Sequence, residues 1–346
     1  MSDPDDYIEQ VGVRAARLSI AAASSIVVLM AASTPLPTAA QPQAVVPGQT
    51  PKDLVDALHV AFGEHHARAV HAKGILLTGS FSPDPAARTL SRAAVFAGGK
   101  LPVTARFSDF TGIPDIPDGV PDANPRGFAF KIKANDGDMF DVVTHSFNGF
   151  PVATSDEFAA FLRSIGASGA DAPHPTAIEQ FLQTHPIAKA FVTSQKPPPS
   201  SFATVAYFGV NSFKFTNASG TAQHVRYRFV PLAGEQYLGA DAVKAKGPNY
   251  LREELPGRLK AGAISFDWYA QLAATGDKIE DPSIAWPENR KLVRLGRLSL
   301  TAVAEDPALD RQTLFLPGQA HAGIEGADPM LGLRNAAYPV SFGARQ

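Results

Sequence analysis

Arg334 and Tyr338 stand four residues apart in the stretch Asp328-Pro-Met-Leu-Gly-Leu-Arg334-Asn-Ala-Ala-Tyr338-Pro339, and that spacing is the chain's first pointer to chemistry. Asp328 followed by Pro329 has the form of a helix N-cap with proline at the first helical position. Pro339 disfavours helical geometry at the residue before it, so the stretch predicts one short helix with Tyr338 on its last turn. Residues four apart share a helix face, where the guanidinium reaches the phenol oxygen and favours its ionised form. A free tyrosine titrates near ~10, so an arginine partner is one of few ways to hold a phenolate at neutral pH. A phenolate needs something to ligate, and one chemistry that uses it is ligation of haem iron. Taken alone the spacing is also that of a surface contact, so the rest of the chain has to decide.

The chain has 346 residues, 45% of them hydrophobic, enough for one large domain or two smaller ones with a real core. A net charge of −2 and the lack of any Lys/Arg run give no footprint for nucleic acid. Cysteine is absent, which removes disulfides, thiolate metal sites and cysteine nucleophiles together and leaves any compartment open. The 29 prolines and 28 glycines predict a loop-rich, partly β architecture. His65 and His66 are neighbours on a predicted helix, point apart and do not share an ion. His174, His185 and His321 lie in loop-like stretches without ligand spacing.

Residues 1–17 are polar and end in Arg14 and Arg17, 18–32 are apolar, and Ser33-Thr-Pro-Leu-Pro-Thr-Ala-Ala40 follows. This is the layout of a secretory signal peptide with cleavage after Ala39 or Ala40; left in place, the apolar run would anchor the chain to a membrane. A linker is expected over 41–51. Helical spacing of Leu54, Leu58 and Phe62 predicts an amphipathic helix over 51–66. Strands are predicted over 75–81, 101–108, 126–133 and 140–144, then a helix starting at Ser155. A helical piece over 176–191 leads to strands over 203–216 and 222–230 joined by the turn Asn217-Ala-Ser-Gly220. The span 248–275 reads as mostly helical, and 291–300 as a last alternating strand. About seven or eight alternating strands with peripheral helices predict an α+β protein built on an antiparallel barrel whose interior holds side chains or a ligand.

Arg68-Ala-Val-His71-Ala-Lys-Gly74 resembles a motif of the haem catalases, and so does Ala105-Arg106-Phe107-Ser108 followed by Asn124-Pro-Arg126-Gly-Phe-Ala-Phe-Lys131. Tyr207-Phe-Gly-Val-Asn-Ser-Phe-Lys214, Asp281-Pro-Ser-Ile-Ala-Trp-Pro287, Leu295-Gly-Arg-Leu-Ser-Leu300, Gly323-Ile-Glu325 and Pro329-Met-Leu331 with Arg334 and Tyr338 follow in the order that family uses. The ordered set runs from Arg68 to Arg345 and is similar to the core of the family, without the C-terminal helical domain of full-length catalases. It resembles the small catalase-related peroxidases. The resemblance implies an eight-stranded antiparallel barrel, residues 1–45 as leader or anchor plus linker, and 46–346 as a catalase-like haem-binding domain carrying haem b.

Residue by residue, the resemblance implies His71 as the distal acid and base that shuttles a proton between peroxide oxygens, with Ser108 orienting its ring. Val70 would narrow access over the iron. Tyr338 would be the iron ligand, Arg334 its partner, and Arg68, Arg106 and Arg345 the arginines on the haem propionates, a role for which a planar fork suits better than lysine. Arg126 would be structural. One departure bears on activity: full-length catalases carry a distal asparagine where alignment on Phe140-Asp141 places His145, while Asn148 falls three positions late. A histidine there changes hydrogen bonding and shape, which bears more on disproportionation than on cleavage of the first peroxide, so His145 joins the catalytic candidates. The function implied is reduction of hydrogen peroxide, and of organic peroxides, with small organic electron donors, outside the cytoplasmic membrane if export holds. Oligomeric assembly stays open. True catalase activity, rearrangement of lipid hydroperoxides, and a haem carrier without turnover are the alternatives; a carrier has no need of the His71–Ser108 pair.

Overall fold

A computed structural model describes residues 47–306 and 308–346. The expected leader or anchor over 1–45 lies outside the described residues. Helix α1 (Pro51–Phe62) is opened by a reciprocal cap in which Thr50 and Asp53 bond each other's backbone N–H, with Pro51 at the first helical position. It ends at Gly63, whose φ of +83° suits a residue without Cβ, four residues before the expected end. Strand β1 (Gly74–Pro83) is followed by α2 (Ala87–Leu90), then β2 (Leu101–Ser108), β3 (Gly127–Lys133) and β4 (Met139–His145). Next come α3 (Ser155–Gly166), α4 (Ala177–Thr184) and α5 (Pro186–Thr193). The single helix expected over 176–191 is two, because Pro186 lacks an N–H and restricts His185; it opens a second helix instead.

Strands β5 (Tyr207–Thr216) and β6 (Ala222–Pro231) flank the predicted turn, in which the Asn217 side chain accepts from the N–H groups of Ser219 and Thr221. Helices α6 (Ala240–Lys244) and α7 (Tyr250–Ala261) precede β7 (Ile264–Leu272) and β8 (Leu292–Val303). The expectation of helix through 275 is corrected here: Gly262 ends α7, and Ile264, Phe266, Trp268 and Ala270 alternate inward in β7. Helix α8 (Ala308–Gln312), strand β9 (Ile324–Gly326) and helix α9 (Met330–Ala344) complete the chain.

The strands run in the order β4-β3-β2-β1-β8-β7-β6-β5, all antiparallel, and the sheet closes where His145 of β4 pairs with Phe208 of β5. This is the eight-stranded barrel expected, with β9 added to β5 as a short ninth strand. Side chains fill its interior. Trp268 sits among Phe81, Phe96, Phe130, Phe229 and Tyr227 with ring centroids 5.2–5.7 Å away, in tilted, edge-on and, for Phe229, stacked arrangements. The barrel interior is therefore mostly a packed core.

Helix α9 differs from its prediction. It continues for six residues past Tyr338 with Pro339 inside it, so Tyr338 lies mid-helix. Pro339 forfeits one backbone bond, but Ala337 is buried and Leu333 and Val340 pack with Leu54, Val55 and Leu58 of α1 and Leu162 of α3. That packing outweighs the local preference. Pro329 takes the cap position, while Asp328 still accepts from the Met330 N–H at 2.9 Å. Among the described residues no helix is long and apolar enough to cross a membrane.

Candidate functional site

Period-two alternation gives β2, β3 and β4 two faces. Phe107, Phe128 and Phe130 go into the barrel core; the other face carries two rows across the sheet, Ser108–Gly127–His145 and Arg106–Ala129–Val143. Both rows line one cavity, closed over by Leu54, Val55 and Leu58 of α1, Phe158 of α3 and Ala337, Tyr338 and Ser341 of α9. Its space, open mouth included, is about 1240 Å³. His71, Val70, Arg68, Arg334 and Arg345 also line it, so all nine candidate site residues meet around one cavity.

His71 is held in an unusual backbone conformation, φ +58°, which costs an L residue free energy and persists only where neighbours impose it. Its N–H donates to the Phe110 carbonyl at 2.7 Å, and its own carbonyl accepts from Arg106 Nη1 at 2.8 Å. The ring Nδ1 lies 2.8 Å from the Asp109 carbonyl and 3.2 Å from Ser108 Oγ. A carbonyl only accepts, so Nδ1 carries the hydrogen and Nε2 is left as the basic nitrogen, without a partner among the described residues. Burial, offset in part by the Asp109 carbonyl and reinforced by the charges of Arg106, Arg334 and Arg68, pushes the imidazole down to about 3. The ring is neutral across the physiological range.

Gly127 lies in the motif Asn124 to Lys131, where the sequence alone points to no role for it. A Cβ there would stand 2.7 Å from His71 Nδ1 and closer still to Ser108 Oγ, so the imidazole lodges where that side chain would be. Beneath the loop, Arg126 is fully buried and bonds the Asp109 carboxylate and the Asp118 carbonyl, the structural role expected of it. Val70 lines the cavity and packs against the α1–α3–α9 cluster.

His145 lines the cavity beside Gly127 in the row. Its Nδ1 accepts from the Phe147 N–H at 3.3 Å, which places its hydrogen on Nε2, a buried atom without a partner among the described residues. Burial first, then His71 and Arg334, push this ring to about 3 as well.

On α9, Arg334 Nη2 donates to the Tyr338 hydroxyl at 3.1 Å, the contact predicted from their spacing. Arg334 Nη1 donates to Asn211 Oδ1 at 2.5 Å, and Asn211 Nδ2 donates to Asp328 Oδ2 at 2.7 Å. Asn211 is a second residue the sequence did not single out. It sits where the β5–β6 register shifts between Gly209 and Phe213, and such an irregularity re-aims a side chain off the regular alternation. Burial pushes the Asp328 carboxyl up, against the pull of Asn211.

Arg68, Arg106 and Arg345 form one cluster. Arg106 grips the Asp310 carboxylate through Nε at 2.7 Å and Nη2 at 3.2 Å, and Arg68 Nη2 lies 3.2 Å from the same group. Arg68 and Arg345 both donate to the Thr313 carbonyl at 2.9 Å. Burial, then the charge of Arg106, pushes Arg68 down to about 8 and Arg345 to about 10. Three guanidiniums against the carboxylate of Asp310 leave this end of the cavity positively charged.

These features fit a haem: apolar walls for a flat ring, a cluster of three arginines for its carboxylates, a phenol backed by a guanidinium for iron, and an imidazole nitrogen facing the same space. Among the described residues no cluster of three or more His, Asp or Glu could hold a bare metal ion.

Comparison with known proteins agrees. The family model described as Catalase matches residues 59–345. The chain is 32% identical over 305 residues to the catalase-related peroxidase of Synechococcus elongatus, spanning 86% of this chain and 89% of that one. It is 33% identical over 308 residues to the catalase-related peroxidase of Mycolicibacterium paratuberculosis, spanning 86% and 95%. Catalase A from Saccharomyces cerevisiae shares the fold with a TM-score of 0.71 at 22% identity over 81% of this chain. The chain spans 61% of that structure's length.

Proposed function

The chain belongs to the catalase family, and from that premise we propose that it is a haem-dependent peroxidase that reduces hydrogen peroxide with a small organic electron donor. The observation that carries this reading is the fixed tautomer of His71. Asp109 and Ser108 hold its Nδ1–H, so Nε2 faces the cavity as a base ready to accept the peroxide proton and return it to the departing oxygen. Such proton transfer contributes about 10²–10⁴-fold in rate. When bound, haem supplies an iron that takes up the oxidising equivalents of the peroxide and passes them on to the donor.

Tyr338 would hold the iron, with Arg334 Nη2 donating to its oxygen. Arg68, Arg106 and Arg345 would hold the carboxylates, and Val70 would shape the space beside His71. Thioether attachment of the haem needs cysteine, which the chain lacks, and haem b is proposed on the likeness to the catalase family. The names of the two bacterial relatives support peroxidase over disproportionation, as does His145 in place of an asparagine. For the compartment, the layout of residues 1–40 supports export, and N-terminal sequencing of the mature protein tests it.

The test is donor-dependent peroxide consumption and haem content for the wild type, His71→Ala and Tyr338→Phe. The proposal expects His71→Ala to keep haem and lose about 10²-fold or more in rate, and Tyr338→Phe to lose its iron-ligand spectrum. Dioxygen release without donor at a matching rate would favour disproportionation. A wild type that takes up no haem would sink the proposal.

A further inference from the structure

We propose that Asp310 is a positioning residue for the arginine end of the cavity, orienting Arg106 and Arg68 from behind so that their free N–H groups meet the carboxylates of the ligand. The inference rests on the haem reading above and goes beyond it, since Asp310 belongs to none of the motifs that suggested that reading.

Arg68, Arg106 and Arg345 line the cavity and Asp310 does not, although its carboxylate bonds Arg106 through two nitrogens and pairs with Arg68. The main-chain carbonyl of Asp310 also accepts from Arg68 Nη1 at 3.0 Å and Nη2 at 2.9 Å. Arg345 is tied to the same segment through the carbonyls of Arg311 at 3.2 Å and Thr313 at 2.9 Å. Segment 310–313 is therefore a backing strip that all three arginines grip. A guanidinium has five N–H donors in a fixed plane. Arg106 spends donors on Asp310 and on the carbonyls of His71 and Ala72, which fixes its plane and leaves it able to offer one more bond.

Three cations this close repel, and Asp310 is the carboxylate that holds them together. Without it Arg106, only 3% exposed, would keep its charge and lose its bidentate partner. The fork would turn to find another acceptor, and its alignment toward the cavity would go with it. Simple charge counting predicts the reverse, because deleting an anion should draw a dicarboxylate in more tightly. The two views give opposite signs.

The experiment uses the full-length protein carrying its haem and measures the rate of haem transfer to excess haem-free myoglobin. Asp310→Asn preserves shape and removes charge; the proposal expects loss to speed up about tenfold, the effect of one good charged hydrogen bond, with Asp310→Glu recovering most of it. In an Arg106→Ala background, Asp310→Asn should add little, since its main partner is gone. Haem held by Asp310→Asn as firmly as by the wild type, or more firmly, overturns the proposal, as does full additivity with Arg106→Ala. A wild type without haem would overturn the functional reading itself, a result distinct from either.

Discussion

The imidazole of His71 occupies the place of the side chain that Gly127 lacks, with Nδ1 2.7 Å from where a Cβ would be. The basic nitrogen can face the cavity because a strand 56 residues away makes room for its ring. Gly127→Ala should push the ring off Ser108 and the Asp109 carbonyl, since backbone on both sides of His71 is tied down and the ring is what can move. Haem content should stay near that of the wild type while peroxide consumption falls at least ~10-fold, with stability lower by about 1–3 kcal/mol from overpacking. Unchanged turnover would show that the ring's seat is not set by this glycine.

Much of this was legible in the chain. Strands 101–108 and 126–133 alternate plainly because one face fills the barrel and the other faces the cavity, so Arg106 and Ser108 could be placed on the same side from sequence. The Arg334–Tyr338 contact followed from helical spacing, although the helix carrying it ran past Pro339 for reasons of packing that spacing does not hold. What was not legible depends on distance. Asp310 meets Arg106 across 204 residues and sits in no motif. Asn211 faces Arg334 only because the β5 register shifts there. Strand β7 was hidden because only Gly262 and Ala263 separate it from the helix before it, a break too short to read from the sequence.

Asn211 links Arg334 to Asp328, so Asn211→Leu should leave Arg334 Nη1 and the buried Asp328 carboxylate short of a partner. The cost is about 1–3 kcal/mol in stability. Because Arg334 Nη2 contacts the Tyr338 oxygen, the same variant should shift the visible spectrum of the haem-loaded protein. Loss of stability with an unmoved spectrum would mean that Arg334 holds its orientation without Asn211.

His71 and His145 are each pushed down to about 3 from an ordinary 6.5, with burial the largest cause in both. The unfolded chain takes up these protons below about 6.5 and the folded chain only near 3. Between those values the unfolded state binds more protons. The stability these neutral rings contribute is therefore present in full above pH 6.5 and is lost as pH falls toward 3, at up to ~1.4 kcal/mol per pH unit for each ring. Urea unfolding of wild type and His145→Phe between pH 7.5 and 4.5 checks this. The variant should lose stability with acid less steeply, by about one ring's share; identical slopes would refute the neutral His145.

His145 also makes the sharpest prediction about reaction type. With Nδ1 accepting from the Phe147 N–H, its only remaining polar group is an Nε2–H that is buried without a partner among the described residues. An asparagine at this position would be shorter and carry both a carbonyl and an amide, so it could offer the cavity two N–H donors and an acceptor. His145→Asn should therefore hold a second peroxide better than the native residue does, and raise dioxygen release relative to donor oxidation. A gain of one neutral hydrogen bond, ~1.4 kcal/mol, corresponds to about tenfold in that ratio. The measurement is dioxygen evolved against donor oxidised at fixed peroxide for both proteins. A ratio that stays put while His71→Ala still abolishes both activities would place the limit on disproportionation elsewhere in the cavity.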